Sequence, residues 1–136
     1  VNDGKLVDEE VMKINSNAPF NVIRAMMPAI MHGRLKKIAI LTSQMGARNG
    51  GGTPANIYGK SKCELNDRFR EIELTWRTSG ITAVVFHPGW VATDMGGKGA
   101  PVSIEESVAG MQAQIELMNL RNGGSFLTWK GERHPW

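Results

Sequence analysis

Two short runs, Lys37-Ile38-Ala39-Ile40-Leu41 and Ile81-Thr82-Ala83-Val84-Val85-Phe86, are apolar almost throughout and lack a polar face. Strands of that kind are buried on both faces and occur in parallel sheets sandwiched by helices. Residues 54–78 between them read as one helix, which Gly80 ends. A parallel pair needs just such a crossover, and the crossover is right-handed. The rest of the chain continues the pattern. Val11, Ile14, Ala18, Val22, Ala25, Met26, Ala29 and Ile30 recur at three- and four-residue steps. They predict an amphipathic helix over 9–32, opened by Asp8-Glu9-Glu10 and closed by His32-Gly33-Arg34. Pro88-Gly89 breaks the second strand and opens a loop to Val102. Ser103-Ile104-Glu105-Glu106 is a capping box for a helix over 104–120, and Ser125-Phe126-Leu127-Thr128-Trp129 follows the Asn122-Gly123-Gly124 turn as a last strand. The order α-β-α-β-α-β predicts an α/β fold with a parallel sheet and helices on both faces.

At 136 residues the chain can form one domain with its own core. A net charge of +3 with scattered Lys and Arg argues against a nucleic-acid partner. No apolar run approaches the roughly 20 residues of a membrane span, and no secretory signal is visible. The single cysteine, Cys63, has no partner for an internal disulfide and reads as a buried thiol. A cytoplasmic protein, bound to neither membrane nor nucleic acid, is expected. His32, His87 and His134 show no metal-ligand spacing, so no metal site is expected. Gly59-Lys60-Ser61 imitates the end of a phosphate-binding loop, but Pro54 stands where its first glycine is required. Gly50-Gly51-Gly52 reads as loop or substrate lid, the methionines as filler of core gaps or of an apolar pocket near 94–101, and Trp76, Trp129 and Trp136 as packing residues.

The chemistry lies in Ser43, Tyr58 and Lys62. A tyrosine and a lysine four apart share one helix face. An ammonium beside a phenol favours the phenolate and lowers the tyrosine pKa from its reference of about 10. Tyr58 so tuned can pass a proton near neutral pH. Ser43, at the end of the preceding strand, can hold the oxygen that gains or loses that proton. Pro19 adds a fourth residue. A proline inside a helix lacks an N–H and repels the carbonyl four residues back, which here belongs to Asn15. The helix is expected to kink there with that carbonyl freed.

The Asn15 helix, L-T-S ending at Ser43, Y-G-K-S-K at 58–62, H-P-G-W-V-A-T-D-M at 87–95 and G-G-S-F-L-T-W at 123–129 resemble the C-terminal half of a classical short-chain dehydrogenase/reductase. The likeness is greatest to small carbonyl-reductase and C-factor-like members. The resemblance implies a partial Rossmann-like, doubly wound parallel sheet made of the last three strands of seven. It implies NAD(P)(H)-dependent carbonyl reduction or alcohol oxidation of a small molecule. Tyr58 would be the general acid/base. Lys62 would tune it and hold the nicotinamide ribose, Ser43 would orient the substrate oxygen, and Asn15 would hold a proton-relaying water. Tyr58, Lys62, Pro88, Gly89, Val91 and Thr93 would bind the cofactor, with Thr93 on its carboxamide or a phosphate.

The same resemblance exposes a gap. No G-x-x-x-G-x-G follows a strand, so the β-α-β unit that receives the pyrophosphate is missing. Asn2-Asp3-Gly4 is at most a remnant of the region just after it, and position 1 is not Met. Residues 1–136 are therefore expected to form a single truncated half-domain. The strand at 37–42 would be an unpaired apolar edge, which favours pairing or swapping with another chain. A homo-oligomer through helices 9–32 and 54–78, or through that edge strand, is expected. Two functions stay open: a reductase completed by a separate nucleotide-binding half, or a non-catalytic relic that oligomerises or binds small molecules.

Overall fold

The computed structural model describes residues 4–49 and 54–136, with side chains from Val7 onward. Asn2, Asp3 and the Gly50-Gly51-Gly52 run lie outside the described residues. The elements are α1 (Gly4–Met12), a π-helical stretch (Lys13–Asn17), α2 (Ala18–His32), β1 (Lys37–Leu41), a 3-10 turn (Gln44–Gly46), α3 (Ile57–Thr78), β2 (Thr82–His87), α4 (Ile104–Leu117) and β3 (Ser125–Thr128). The described strands form one parallel sheet in the order β1-β2-β3. Lys37 pairs with Thr82 through to Leu41 with Phe86, and Val84 with Ser125 through to His87 with Thr128. This is the C-terminal part of a Rossmann-like sheet with helices on both faces.

Central β2 is buried from Thr82 to Phe86, as its unbroken apolar run requires. One side of the sheet carries the larger core, in which Ile38, Ile40, Val85 and Phe126 meet Leu65, Phe69 and Trp76 of α3, backed by Phe20 of α2. The other side is smaller: Val84, Phe86 and Leu127 pack under Met111 and Ile115 of α4 and Met118 beyond it. That asymmetry corrects the expectation for β1. Its Ala39 and Leu41 point to the α4 side yet are exposed, Leu41 to 54%. The reason is placement: α4 lies over β2 and β3, and only the Lys37 ammonium reaches it, donating to the Ile115 and Glu116 carbonyls at 2.8 and 2.9 Å. A cation there complements the negative end of the helix dipole. Among the described residues β1 pairs with β2 alone, so it is the expected free edge.

Helix ends follow local chemistry. α3 begins at Ile57, later than Pro54, because the Asn56 side chain accepts the Gly59 N–H at 2.8 Å and acts as its cap. It ends in a left-handed Gly80, φ 79°, with the Ile81 N–H returning to the Trp76 carbonyl. Ser103 and Glu106 form the full capping box of α4. Asp8-Glu9-Glu10 does not open its helix, since α1 already runs from Gly4. The expected kink at Pro19 takes the form of the π-helical stretch, in which the Ala18 N–H bonds the Lys13 carbonyl, five residues back. Beyond β3 the chain folds back, His134 N–H bonding the Phe126 carbonyl, and Trp136 stacks on Phe69 and Phe126. No helix among the described residues is long and apolar enough to cross a membrane.

Phe69 is fully buried where α3, β3 and the C-terminal return meet. Phe69→Ala is expected to cost about 3–5 kcal/mol. Ser103→Ala, which removes one cap at the surface, is expected to cost about 1 kcal/mol. Urea midpoints of the two variants check the order; equal losses would contradict this placement of the core.

Candidate active site

In a parallel sheet the crevice beyond the C-terminal strand ends is where ligands gather. Here β1 and β2 both end at such a crevice. The Thr42 N–H extends the ladder by bonding the Phe86 carbonyl at 2.8 Å. Ser43 stays extended, φ −152° and ψ 149°, and its Oγ caps the 3-10 turn by accepting the Met45 N–H at 3.1 Å. The first turn of α3 lifts Tyr58 to the same opening. The result is a cleft of about 540 Å³ lined by Ser43, Tyr58, Pro88, Gly89, Val91 and Thr93 among others. Six of the sequence-predicted residues thus converge, while Asn15 and Lys62 stand behind the lining.

Lys62 is half-buried, its ammonium 5.8 Å from the centre of the Tyr58 ring and donating to the Leu41 carbonyl at 3.2 Å. Burial pulls that ammonium below its ordinary pKa, because desolvation disfavours the charged form. Asn15 reaches the site through one intermediary. Its Nδ2 donates to Ser61 Oγ at 3.1 Å, and Ser61 Oγ donates to the Tyr58 carbonyl at 2.7 Å. The π-helical stretch therefore sits one buried hydroxyl away from the turn that carries Tyr58.

The far wall is the loop after β2. Gly89 has φ 93°, open to glycine and strained for other residues. A Cβ there would lie 2.9 Å from the Trp129 indole nitrogen, so the flat ring that Gly89 approaches in this structure is Trp129. Ser107 of α4 clamps the turn from below, donating to the Pro88 carbonyl at 2.6 Å. The Thr93 hydroxyl is used inside the loop, accepting the Gly96 N–H at 3.1 Å and donating to the Val91 carbonyl at 3.4 Å. The Trp90 indole N–H closes the same loop on the Gly96 carbonyl at 2.8 Å. Met45 and Met95 add flexible apolar lining, as expected of two of the methionines.

Sequence reasoning passed over Ser61, Ser107, His87 and Trp90. Ser61 and Ser107 are buried serines on otherwise amphipathic helices, a signal visible only once the helix faces are assigned. His87 was legible as the polar end of an apolar strand. It lines the cleft, its Nδ1 accepts the Gln44 N–H at 3.4 Å, and its ring lies 5.9 Å from His134. Burial, and secondarily the charge of His134, lower its pKa to about 4.

The short chain dehydrogenase family profile matches residues 5–101. The chain belongs to the short-chain dehydrogenase family. Within that family it is similar to C-signal of Myxococcus xanthus, 39% identical over 126 residues that span 90% of this chain and 75% of the relative. Its fold matches the NADPH-bound carbonyl reductase from chicken fatty liver with a TM-score of 0.85 and 30% identity, over 95% of this chain and 57% of that one. The carbonyl reductase Sniffer of D. melanogaster matches with a TM-score of 0.85 and 25% identity, over 100% and 59%. The chain spans little more than half the length of these carbonyl reductases.

His87 ties the cleft to pH. Its imidazole gains a proton near pH 6.5 in the unfolded chain and near 4 in the folded one. Between those values the unfolded chain binds more protons, so stability rises with pH. The contribution is complete above about 6.5 and is lost as the pH falls toward 4. Denaturant midpoints taken from neutral pH downward are expected to fall less steeply in His87→Asn than in wild type; parallel curves would assign the slope to other groups.

Proposed function

We propose that residues 1–136 are the catalytic half-domain of an NAD(P)(H)-dependent carbonyl reductase, able to run in reverse as an alcohol dehydrogenase. The observation that carries this reading is the convergence of Ser43 and Tyr58 on one cleft, with the Lys62 ammonium behind them. Ser43 Oγ holds the substrate oxygen. The Tyr58 hydroxyl gives that oxygen its proton in reduction and takes it back in oxidation. Lys62 stands behind that phenol, its ammonium 5.8 Å from the ring centre, where it offsets charge developing during the transfer. Asn15, through Ser61, steadies the Tyr58 turn and stands where a proton can enter from the π-helical stretch.

The wall at Pro88, Gly89 and Val91 suits a nicotinamide ring: it is apolar, and no Lys, Arg, Asp or Glu is among the residues lining the cleft. Bound there, the nicotinamide supplies or accepts the hydride. Tyr58 and Lys62 would meet its ribose, and Thr93 its carboxamide once the hydroxyl leaves Val91. The NADPH in the chicken carbonyl reductase supports this choice of cofactor class. No glycine-rich strand-to-helix turn is found among the described residues, so the pyrophosphate half of the site must come from another segment or another polypeptide. The second reading is a non-catalytic oligomerising or small-molecule-binding module.

We also propose a cytoplasmic homo-oligomer. Ile14, Val22 and Met26 lie on one exposed apolar stripe of the α1–α2 rod, and Leu74 extends exposed apolar surface onto α3. Light scattering is expected to give a dimer or larger species that Val22→Asp with Met26→Asp reduces to monomer; a wild-type monomer would refute the assembly.

Two measurements test the chemistry. With the nucleotide-binding half supplied, NADPH is expected to bind in calorimetry, and Tyr58→Phe to lose about 10²–10⁴-fold in turnover while remaining folded. Full activity in Tyr58→Phe removes it from the proton-transfer role, and no cofactor binding favours the module.

A further inference from the structure

Tyr58, Lys62 and Asn66 follow one another at four-residue steps along one face of α3. Leu41, Thr42 and Ser43 are consecutive at the end of β1. The two series meet rung by rung. Lys62 Nζ donates to the Leu41 carbonyl at 3.2 Å, and the Thr42 hydroxyl donates to Asn66 Oδ1 at 2.6 Å. The next residue on the strand is Ser43, and the next turn back along the helix holds Tyr58. The Thr42–Asn66 bond is the buried member of this ladder, Asn66 being 3% exposed and Thr42 also 3%.

The other half of the Asn66 amide has no such partner. Its Nδ2 is buried and makes no hydrogen bond within the described protein. It is closed off from the small cavity that other atoms of Asn66 border, so the Thr42 bond is the one polar anchor of this side chain among the described residues.

We infer that Asn66 is a positioning residue, whose buried bond with the Thr42 hydroxyl fixes the Ser43 strand end against the helix carrying Tyr58 and Lys62. Its importance for catalysis rests on the reductase reading; its local effect does not. With that bond made, the register of Ser43 relative to Tyr58 is set by α3 itself. The 3-10 turn, whose Gly46 and Ala47 N–H groups bond Ser43 and Gln44 carbonyls, inherits that register.

Thr42→Val keeps shape and removes the donor, Thr42→Ser restores it, and Asn66→Leu removes the acceptor. In Thr42→Val, amide hydrogen exchange at Met45–Ala47 is expected to quicken about tenfold while Val84 and Val85 hold their rates. Thr42→Ser should return the first group to wild-type values. Uniform acceleration across the sheet would reduce the pair to general stability, and no acceleration at 45–47 would also overturn the inference. Asn66→Leu, if folded, should repeat the local pattern; Thr42→Val decides the matter if it is not. With the nucleotide-binding half, cofactor and carbonyl substrate supplied, Thr42→Val should lower kcat and leave KM for the carbonyl unchanged. Where the wild-type chain shows no turnover, the exchange pattern alone judges Asn66.

Discussion

Gly46 presses against the Lys62 turn of α3 so closely that a Cβ there would lie 2.6 Å from the Lys62 carbonyl carbon. That contact lets the chain leaving β1 fold onto the helix that returns to β2. Ser43 is three residues before it and Tyr58 one turn before Lys62, so this approach sets the distance across the mouth of the cleft. A larger residue at 46 would meet backbone, which cannot rotate away, and would push the turn off the helix. The hydrogen bonds from Lys62 to Leu41 and from Thr42 to Asn66 hold the same seam from the strand side. The spacing of Ser43 and Tyr58 across the cleft is thus a consequence of how tightly one strand end can be laid on one helix.

What the residues disclosed in advance follows from where each signal is stored. β2 was legible because a strand buried on both faces has to be apolar at every step, and the capping box of α4 because its donors and acceptors lie within four residues. Tyr58, Ser43 and the loop from Pro88 to Thr93 were legible as motifs, and the fold brings them to one opening. β1 misled because Ala39 and Leu41 look like core residues; only the lateral position of α4 decides that they face solvent. Asn66, Ser61 and Ser107 act across sequence separations of 24, 46 and 19 residues, and nothing local announces such partners. Thr93 shows the reverse: its motif suggests a ligand contact, but the hydroxyl is spent on Val91 and Gly96 of its own loop.

Pro19 shows how one backbone constraint reaches the chemistry. By removing an N–H it denies the helix its regular ladder, and the chain responds with one wider π-helical turn. That turn carries Asn15, whose amide bonds Ser61, whose hydroxyl in turn bonds the Tyr58 carbonyl. π-helical turns recur at functional sites because they release backbone groups that an α-helix would consume. Here the released region faces α3 at the turn of Tyr58, while the neighbouring Ser16 is fully buried and bonded to Glu64. The rod formed by α1 and α2 is therefore keyed to α3 through polar contacts at one point and through Phe20 and Trp76 at another.

The open edge of the sheet and the open side of the cleft are the same place. Leu41 is the last residue of β1, it lines the cleft, and its carbonyl holds Lys62. A strand added beside β1, from whatever source, would satisfy the free backbone groups of that edge and cover the exposed leucine. It would thereby raise the wall that the cleft lacks on that side and reduce the access of water to Tyr58. Excluding water strengthens every charge interaction in such a site, including that between Lys62 and the phenol. The edge of the sheet and the wall of the cleft therefore meet at Leu41, and a strand laid on that edge changes the surroundings of Lys62 and Tyr58 together.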